Sequence, residues 1–317
     1  MSIIIELLRA HTLPGLLGVQ KNPQTTFKAW IQNNRYRINT PINPKSFELE
    51  LYDKEELLEA ISYDINRMSC SAIETVALIS RSSVMPKSSG WAIIELYYSA
   101  YFSAQAIMRI FGVSCSQFDS QESIAVTNAA KLYHQDNGIN ISAGYYHCEY
   151  MPSNNLISCN QLGNTHQSFW TKFDQLLDDL STKVSGSNFL ERDKNKVIQF
   201  LFSIRERLNY WNNYNSSNWL SKVRNDVNYS HAMGAWYPYT GSKKVSDELF
   251  RIISRWNQEE FPSNITNHEK HPNTIVFADS CLSIIKLLKD LINDLSSHSD
   301  KSFLEYGPVR LMKQLAI

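Results

Sequence analysis

A chain of 317 residues with 43% hydrophobic content has ample material for a buried core. Lys+Arg and Asp+Glu both number 31, which excludes a global attraction to nucleic acid or to an anionic membrane, so any polyanion must be held by a local patch. The five cysteines (Cys70, Cys115, Cys148, Cys159 and Cys281) are odd in number and widely scattered, which argues against a disulfide framework and for a reducing compartment.

The opening "MSIIIELLRAHTLPGLLG" carries Glu6 inside its apolar run, has no basic residues ahead of that run and shows no small-residue cleavage pattern. No other segment approaches the roughly 20 uncharged apolar residues of a membrane span. The expectation is a cytoplasmic protein with no membrane partner. Up to about residue 50, prolines and asparagines interrupt every candidate helix, and this stretch reads as an N-terminal extension lying on the main domain.

From Asp53 the pattern becomes helical, with acids in the first turn and Leu57, Leu58, Ile61, Ile65 and Met68 at helical spacing. The segment 90–112 is apolar almost all round, as befits a helix in the middle of a bundle, and its one polar stripe is Glu95, Ser99 and Ser103. Residues 113–165 are irregular, with a helix at 120–133 followed by a small hairpin. Helical spacing resumes at 166–182 and 192–211, with further helices at 218–230, 245–260 and 274–296. The expected fold is all-α: a helical bundle over 51–317 with a small irregular or β-hairpin insertion at about 113–165.

The segment "RNDVNYSH" places Arg224 and His231 seven positions apart; on a continuous helix they would share one face about 10 Å apart along its axis, and a break at Asn228 could bring them closer. Cutting RNA without a metal needs a group that moves a proton near neutral pH and a fixed cation on the phosphorane-like transition state. Histidine supplies the first and arginine the second. Asn225 and Asn228 can donate to phosphate or ribose oxygens, or cap the local backbone. The plain alternative is a helix end running into a polar loop.

Arg224 followed at once by Asn225, with histidine six residues further on and an earlier "YYSAYFSAQAIMRIFG" helix of alternating small and aromatic residues, resembles the HEPN superfamily. These are α-helical proteins that include metal-independent endoribonucleases of toxin and antiviral systems. The resemblance implies that Arg224 binds and polarises the scissile phosphate, that His231 moves the proton, and that Asn225 orients the site. It further implies a polar or acidic partner from an earlier helix, for which Glu95 is the candidate. It also implies a homodimer whose two Arg/His pairs share one cleft, since a lone histidine cannot be base and acid in one turnover. Partners would be RNA and an antitoxin or a defence complex, with no cofactor. The sequence departs from toxins inhibited by a nucleotidyltransferase, in which a tyrosine stands two places after the histidine; here that residue is Met233. Other family members act as inactive binding or regulatory subunits, and that is the alternative reading.

Between Glu191 and Arg224 the cations Arg192, Lys194, Lys196, Arg205, Arg207, Lys222 and Arg224 outnumber the acids, a local excess that could lead RNA to the site. Tyr210, Trp211, Tyr214 and Trp219 offer rings for unstacked bases, although aromatics at a helix end are more often core anchors; Trp236 and Tyr237 read as packing for the motif loop. Cys148, Cys159, His147 and His166 lack zinc-site spacing, His268, His271 and His298 read as solvated, and no phosphate loop or serine-hydrolase elbow is present.

Overall fold

Apolar spacing of three to four residues produces helices close to where the sequence places them. In a computed structural model that describes residues 3–20, 22–81, 87–134, 138–163, 165–209, 217–239, 242–258 and 273–317, the helices are α1 (Ile3–Arg9), α2 (Phe27–Gln32), α3 (Lys54–Ser80), α4 (Gly90–Ile110), α5 (Ser120–His134), α6 (Thr165–Ser185), α7 (Glu191–Leu208), α8 (Trp219–Tyr229), α9 (Ser242–Ile253), α10 (Asn273–Ser297) and α11 (Pro308–Leu315). No helix among the described residues is long and apolar enough to cross a membrane.

The all-α expectation is overturned by a sheet. Strands β1 (Tyr36–Asn43), β2 (Ser46–Leu51), β3 (Val113–Phe118), β4 (Gly144–Met151) and β5 (Leu156–Leu162) form a five-stranded antiparallel sheet in the order β1-β2-β5-β4-β3. The molecule is mixed α/β. The expected hairpin is β4–β5, but β2 joins it edge to edge through Phe47 opposite Cys159 and Leu49 opposite Ile157. Residues 1–50 thus supply α1, α2, β1 and nearly all of β2. The physical reason lies in the alternation Phe47-Glu48-Leu49-Glu50-Leu51, which buries every second side chain against a hydrophobic layer.

On that inner face Phe47, Phe118 and Tyr146 pack on one another and Phe118 meets Phe27 from α2, with Trp30 stacked on Phe27 at 5.9 Å and Tyr36 beside Trp30. The other face is covered where Tyr145 of β4 meets Tyr101 and Gln105 of α4 through hydrogen bonds of 3.3 and 3.1 Å. α4 lies at the centre of the helical part, between α3, α10 and α8. Ser99 and Ser103, expected on a polar stripe, are buried and donate to backbone carbonyls of Ala72 and Ser99. A hydroxyl satisfied in this way lets α3 and α4 approach closely without an orphaned donor. Arg109, near the end of α4, is buried beside Asp64 of α3 at 3.5 Å and donates to Gln105 and Ser116, tying two helices to β3.

Candidate functional site

α8 buries the stripe Leu220, Val223, Arg224 and Val227, and this spacing carries a cation into the interior among apolar neighbours. Arg224 is 6% exposed. Its guanidinium carbon lies 5.2 Å from the ring centre of Tyr97 and 5.8 Å from that of Tyr98, both on α4. Its Nε is buried without a hydrogen-bond partner, and among the described residues no carboxylate pairs with it. Such stacking on two phenol rings returns about 1–2 kcal/mol, less than the several kcal/mol of desolvation that a buried cation costs.

Tyr97 connects this cation to a histidine that the motif does not contain. Its hydroxyl receives the indole N–H of Trp170 at 3.1 Å and lies 2.9 Å from Nδ1 of His166, in the first turn of α6. Burial raises the Tyr97 phenol well above its usual range, an effect the Arg224 charge opposes in part. Burial, and then the charge of Arg224, lower the pKa of His166. The imidazole is therefore neutral at pH 7, and the rings of Tyr97, Tyr98 and Tyr101 stand 5.9, 6.5 and 5.2 Å from its own.

His231 lies apart from this group. α8 ends at Tyr229, and His231 turns the chain with φ of 48°, after which the amide of Ala232 donates to the carbonyl of Asp226. Left-handed backbone is uncommon for residues other than glycine, though histidine is among those that tolerate it. The shared face expected for Arg224 and His231 on a continuous helix does not form, because the helix stops between them. Instead the exposed His231 ring lies 5.5 Å from Trp236. Trp236 donates to the carbonyl of Val227 at 2.7 Å and meets Trp91 edge-on at 5.7 Å. The carbonyl of Ala235 receives the amides of Ser89 and Gly90, which docks the motif loop on the first turn of α4.

Glu95 is exposed and falls between the two halves, for Trp91, Glu95 and Tyr98 are spaced i, i+4, i+7 on one face of α4. His231 with Trp236, then Glu95, then Arg224, then His166 form a track along that helix, with about 10 Å of axial rise from Trp91 to Tyr98. Asn225 and Lys222 are exposed on the outer face of α8, and Asn228 is half-buried.

The expected basic patch does not assemble as a surface. Arg205 is held in ion pairs with Asp174 at 3.0 Å and with Asp178, joining α6 to α7. Arg207 is buried against Asp279 of α10 at 2.8 Å. Lys194 and Lys196 pair with Glu191 and Asp193 on their own helix. Trp219 is fully buried and packs on Phe277, while Tyr210, Trp211, Tyr214, His268 and His271 lie outside the described residues.

Cys148 and Cys159 face each other across β4 and β5, and burial holds the Cys159 thiol far above its ordinary pKa. His147, next along β4, pairs instead with Cys115. Among the described residues no three metal-ligating side chains converge.

The residues missed by sequence reading are Tyr97, Tyr98 and, above all, His166. The tyrosines carry a signal, a "YY" pair on the most apolar helix. His166 carries none, because α6 reaches Arg224 only through the tertiary fold. Compared with known proteins, the chain matches no family model, no curated sequence and no solved structure.

Proposed function

We propose that this protein is a metal-independent endoribonuclease of the HEPN type, acting in the cytoplasm as part of a toxin or antiviral system. The observation that carries the reading is the guanidinium of Arg224, buried on Tyr97 and Tyr98 with no carboxylate among the described residues to neutralise it. A fixed positive charge at that position is suited to a phosphodiester oxygen, and it costs no reorganisation when charge develops in the transition state. The ribose 2′-oxygen attacks the adjacent phosphorus, the bond to the 5′-oxygen breaks, and a 2′,3′-cyclic phosphate remains.

In this reading Arg224 neutralises the non-bridging oxygens. His231 takes the 2′-hydroxyl proton or returns one to the leaving 5′-oxygen, with a second protomer of a homodimer supplying the complementary histidine. Asn225, Asn228 and Glu95 orient the ribose and phosphate. The exposed rings of Trp91 and Tyr237, the latter under Lys87 at 4.7 Å, suit unstacked bases of single-stranded RNA.

A second reading has its own observation. His231 packs on Trp236, away from Arg224, as suits a catalytically silent binding or regulatory subunit of a defence complex. Incubation of total RNA with wild type, Arg224→Ala and His231→Asn in EDTA, with end mapping, separates them. Cyclic-phosphate ends from the wild type alone support the nuclease. Intact RNA in all three lanes, with RNA binding retained by the wild type, supports the subunit.

A further inference from the structure

Tyr97 has one proton to give and two lone pairs to fill, and its neighbours decide how these are used. Trp170 Nε1 is only a donor and gives to the phenol oxygen, while the guanidinium of Arg224 lies over the ring. Of the two groups hydrogen-bonded to this hydroxyl, only His166 Nδ1, 2.9 Å away, can accept the phenol proton. A neutral imidazole that accepts at Nδ1 carries its proton on Nε2. The network therefore favours the Nε2–H tautomer, in a half-exposed ring that shares Tyr97 and Tyr98 with a buried cation that has no counter-ion among the described residues.

We propose that Arg224 and His166 together form a phosphate site within one chain, in which the guanidinium from α8 and the Nε2–H of His166 from α6 bind oxygens of the same phosphate. Tyr97 is the positioning residue that both lean on: its ring face supports the guanidinium and its hydroxyl orients the imidazole. The class of ligand follows from the donors. A permanently charged planar fork with an unused N–H, next to a neutral N–H donor, matches a tetrahedral oxyanion better than a cation or an apolar group. The proposal rests on the reading that Arg224 takes a phosphate, and it replaces the expectation that the histidine nearest that phosphate is His231. Protonating His166 would put a donor on Nδ1 facing the phenol and break the arrangement, so the site is formed by the neutral ring.

The test is long-range ¹H–¹⁵N NMR of the whole protein, labelled at histidine, titrated with inorganic phosphate at constant ionic strength. The expected free state has His166 protonated at Nε2 and bare at Nδ1. Phosphate is expected to shift the His166 Nε2 resonance along a saturable curve. Arg224→Met and His166→Gln should each weaken that binding about tenfold or more, and Tyr97→Phe should release the tautomer preference with the remaining histidine signals unmoved.

Three results would overturn the site: a proton on Nδ1 of His166, phosphate shifting His231 but not His166, or a His166 shift that persists undiminished in Arg224→Met, which would mark an adventitious ion only. Because the measurement is made on wild type, a variant that fails to fold does not rescue the idea. Its outcome is also separable from that of the nuclease reading. A His166 shift that depends on Arg224, in a protein that cuts no RNA, keeps the phosphate site and removes the nuclease. RNA cleavage with His166 silent to phosphate does the reverse.

Discussion

The guanidinium of Arg224 stacks on Tyr97 at 5.2 Å, and the same tyrosine holds His166 by a 2.9 Å hydrogen bond, so a cation from α8 and an imidazole from α6 meet on one residue of α4. The other buried guanidiniums described here, Arg109 and Arg207, each have an aspartate beside them, and Arg224 has two phenol rings instead. An arginine kept at a net cost in stability points to use rather than support.

His231 holds a left-handed backbone at the end of α8, so its substitution tests two things at once unless the replacement tolerates that conformation. His231→Asn is expected to leave the melting temperature within a few degrees of wild type, since asparagine accepts positive φ. His231→Val should lose about 1–2 kcal/mol from the backbone alone. Thermal unfolding of both variants checks the ordering. Under the proposed function both also abolish RNA cleavage, and equal stability of the two would show that the turn is not held as described.

Gly90 opens α4 directly beneath Trp236, where an added Cβ would lie 2.4 Å from the indole ring. Gly90→Ala must push the indole away, breaking its hydrogen bond to Val227 and its edge contact with Trp91. The expected cost is about 1–3 kcal/mol. A red-shifted tryptophan emission and faster proteolysis at the 231–239 loop would report the displacement, and an unchanged spectrum would count against this packing.

Acid should destabilise the protein well before its carboxylates titrate. His147 is pushed down to about 4 by burial and then by Lys172, and burial also lowers His11 and His166, with the charges of Lys183 and Arg224 adding to the effect. Below the ordinary histidine value of about 6.5 the unfolded chain takes up protons that the folded chain refuses. Stability is therefore complete above that pH and lost as pH falls towards 4. For His147 alone the loss between pH 7 and pH 5 is about 2 kcal/mol. Urea unfolding at pH 7.5, 6 and 5 should show the decline, and His147→Gln should flatten it. Arg224→Met should raise the pKa of His166, which histidine NMR reads directly.

The helices were legible because their apolar spacing is local: the stripe that buries α8 can be read from Leu220, Val223 and Val227 before any fold is known. The sheet was not, because its pairing is long-range. Phe47 finds Cys159 across more than a hundred residues, and a single proline within β1, Pro41, disguises an edge strand as a broken helix. Within "SFELEL" the period of two is present and short, and it straddles the boundary read at residue 50 between the extension and the helical domain. Arg224 was legible from its motif, and its burial follows from the stripe. The end of α8 was legible, since the sequence predicts the helix to 230; the side to which the turn sends His231 was not, because it is set by Trp236 and the docking of its loop on α4. Arg205 and Arg207 read as a basic patch because their partners, Asp174, Asp178 and Asp279, lie on other helices.

The central claim, that Arg224 is a buried cation kept for a phosphate, is tested most directly by Arg224→Met, measured for melting temperature and for RNA cleavage in EDTA on the same preparation. Methionine fills the space over Tyr97 and Tyr98 without the charge. The account predicts a melting temperature equal to or above that of wild type, with RNA cleavage lost by at least a hundredfold, about 2.7 kcal/mol of transition-state stabilisation. A melting temperature lowered by many degrees, or cleavage that survives the substitution, would make Arg224 a structural residue and contradict the account.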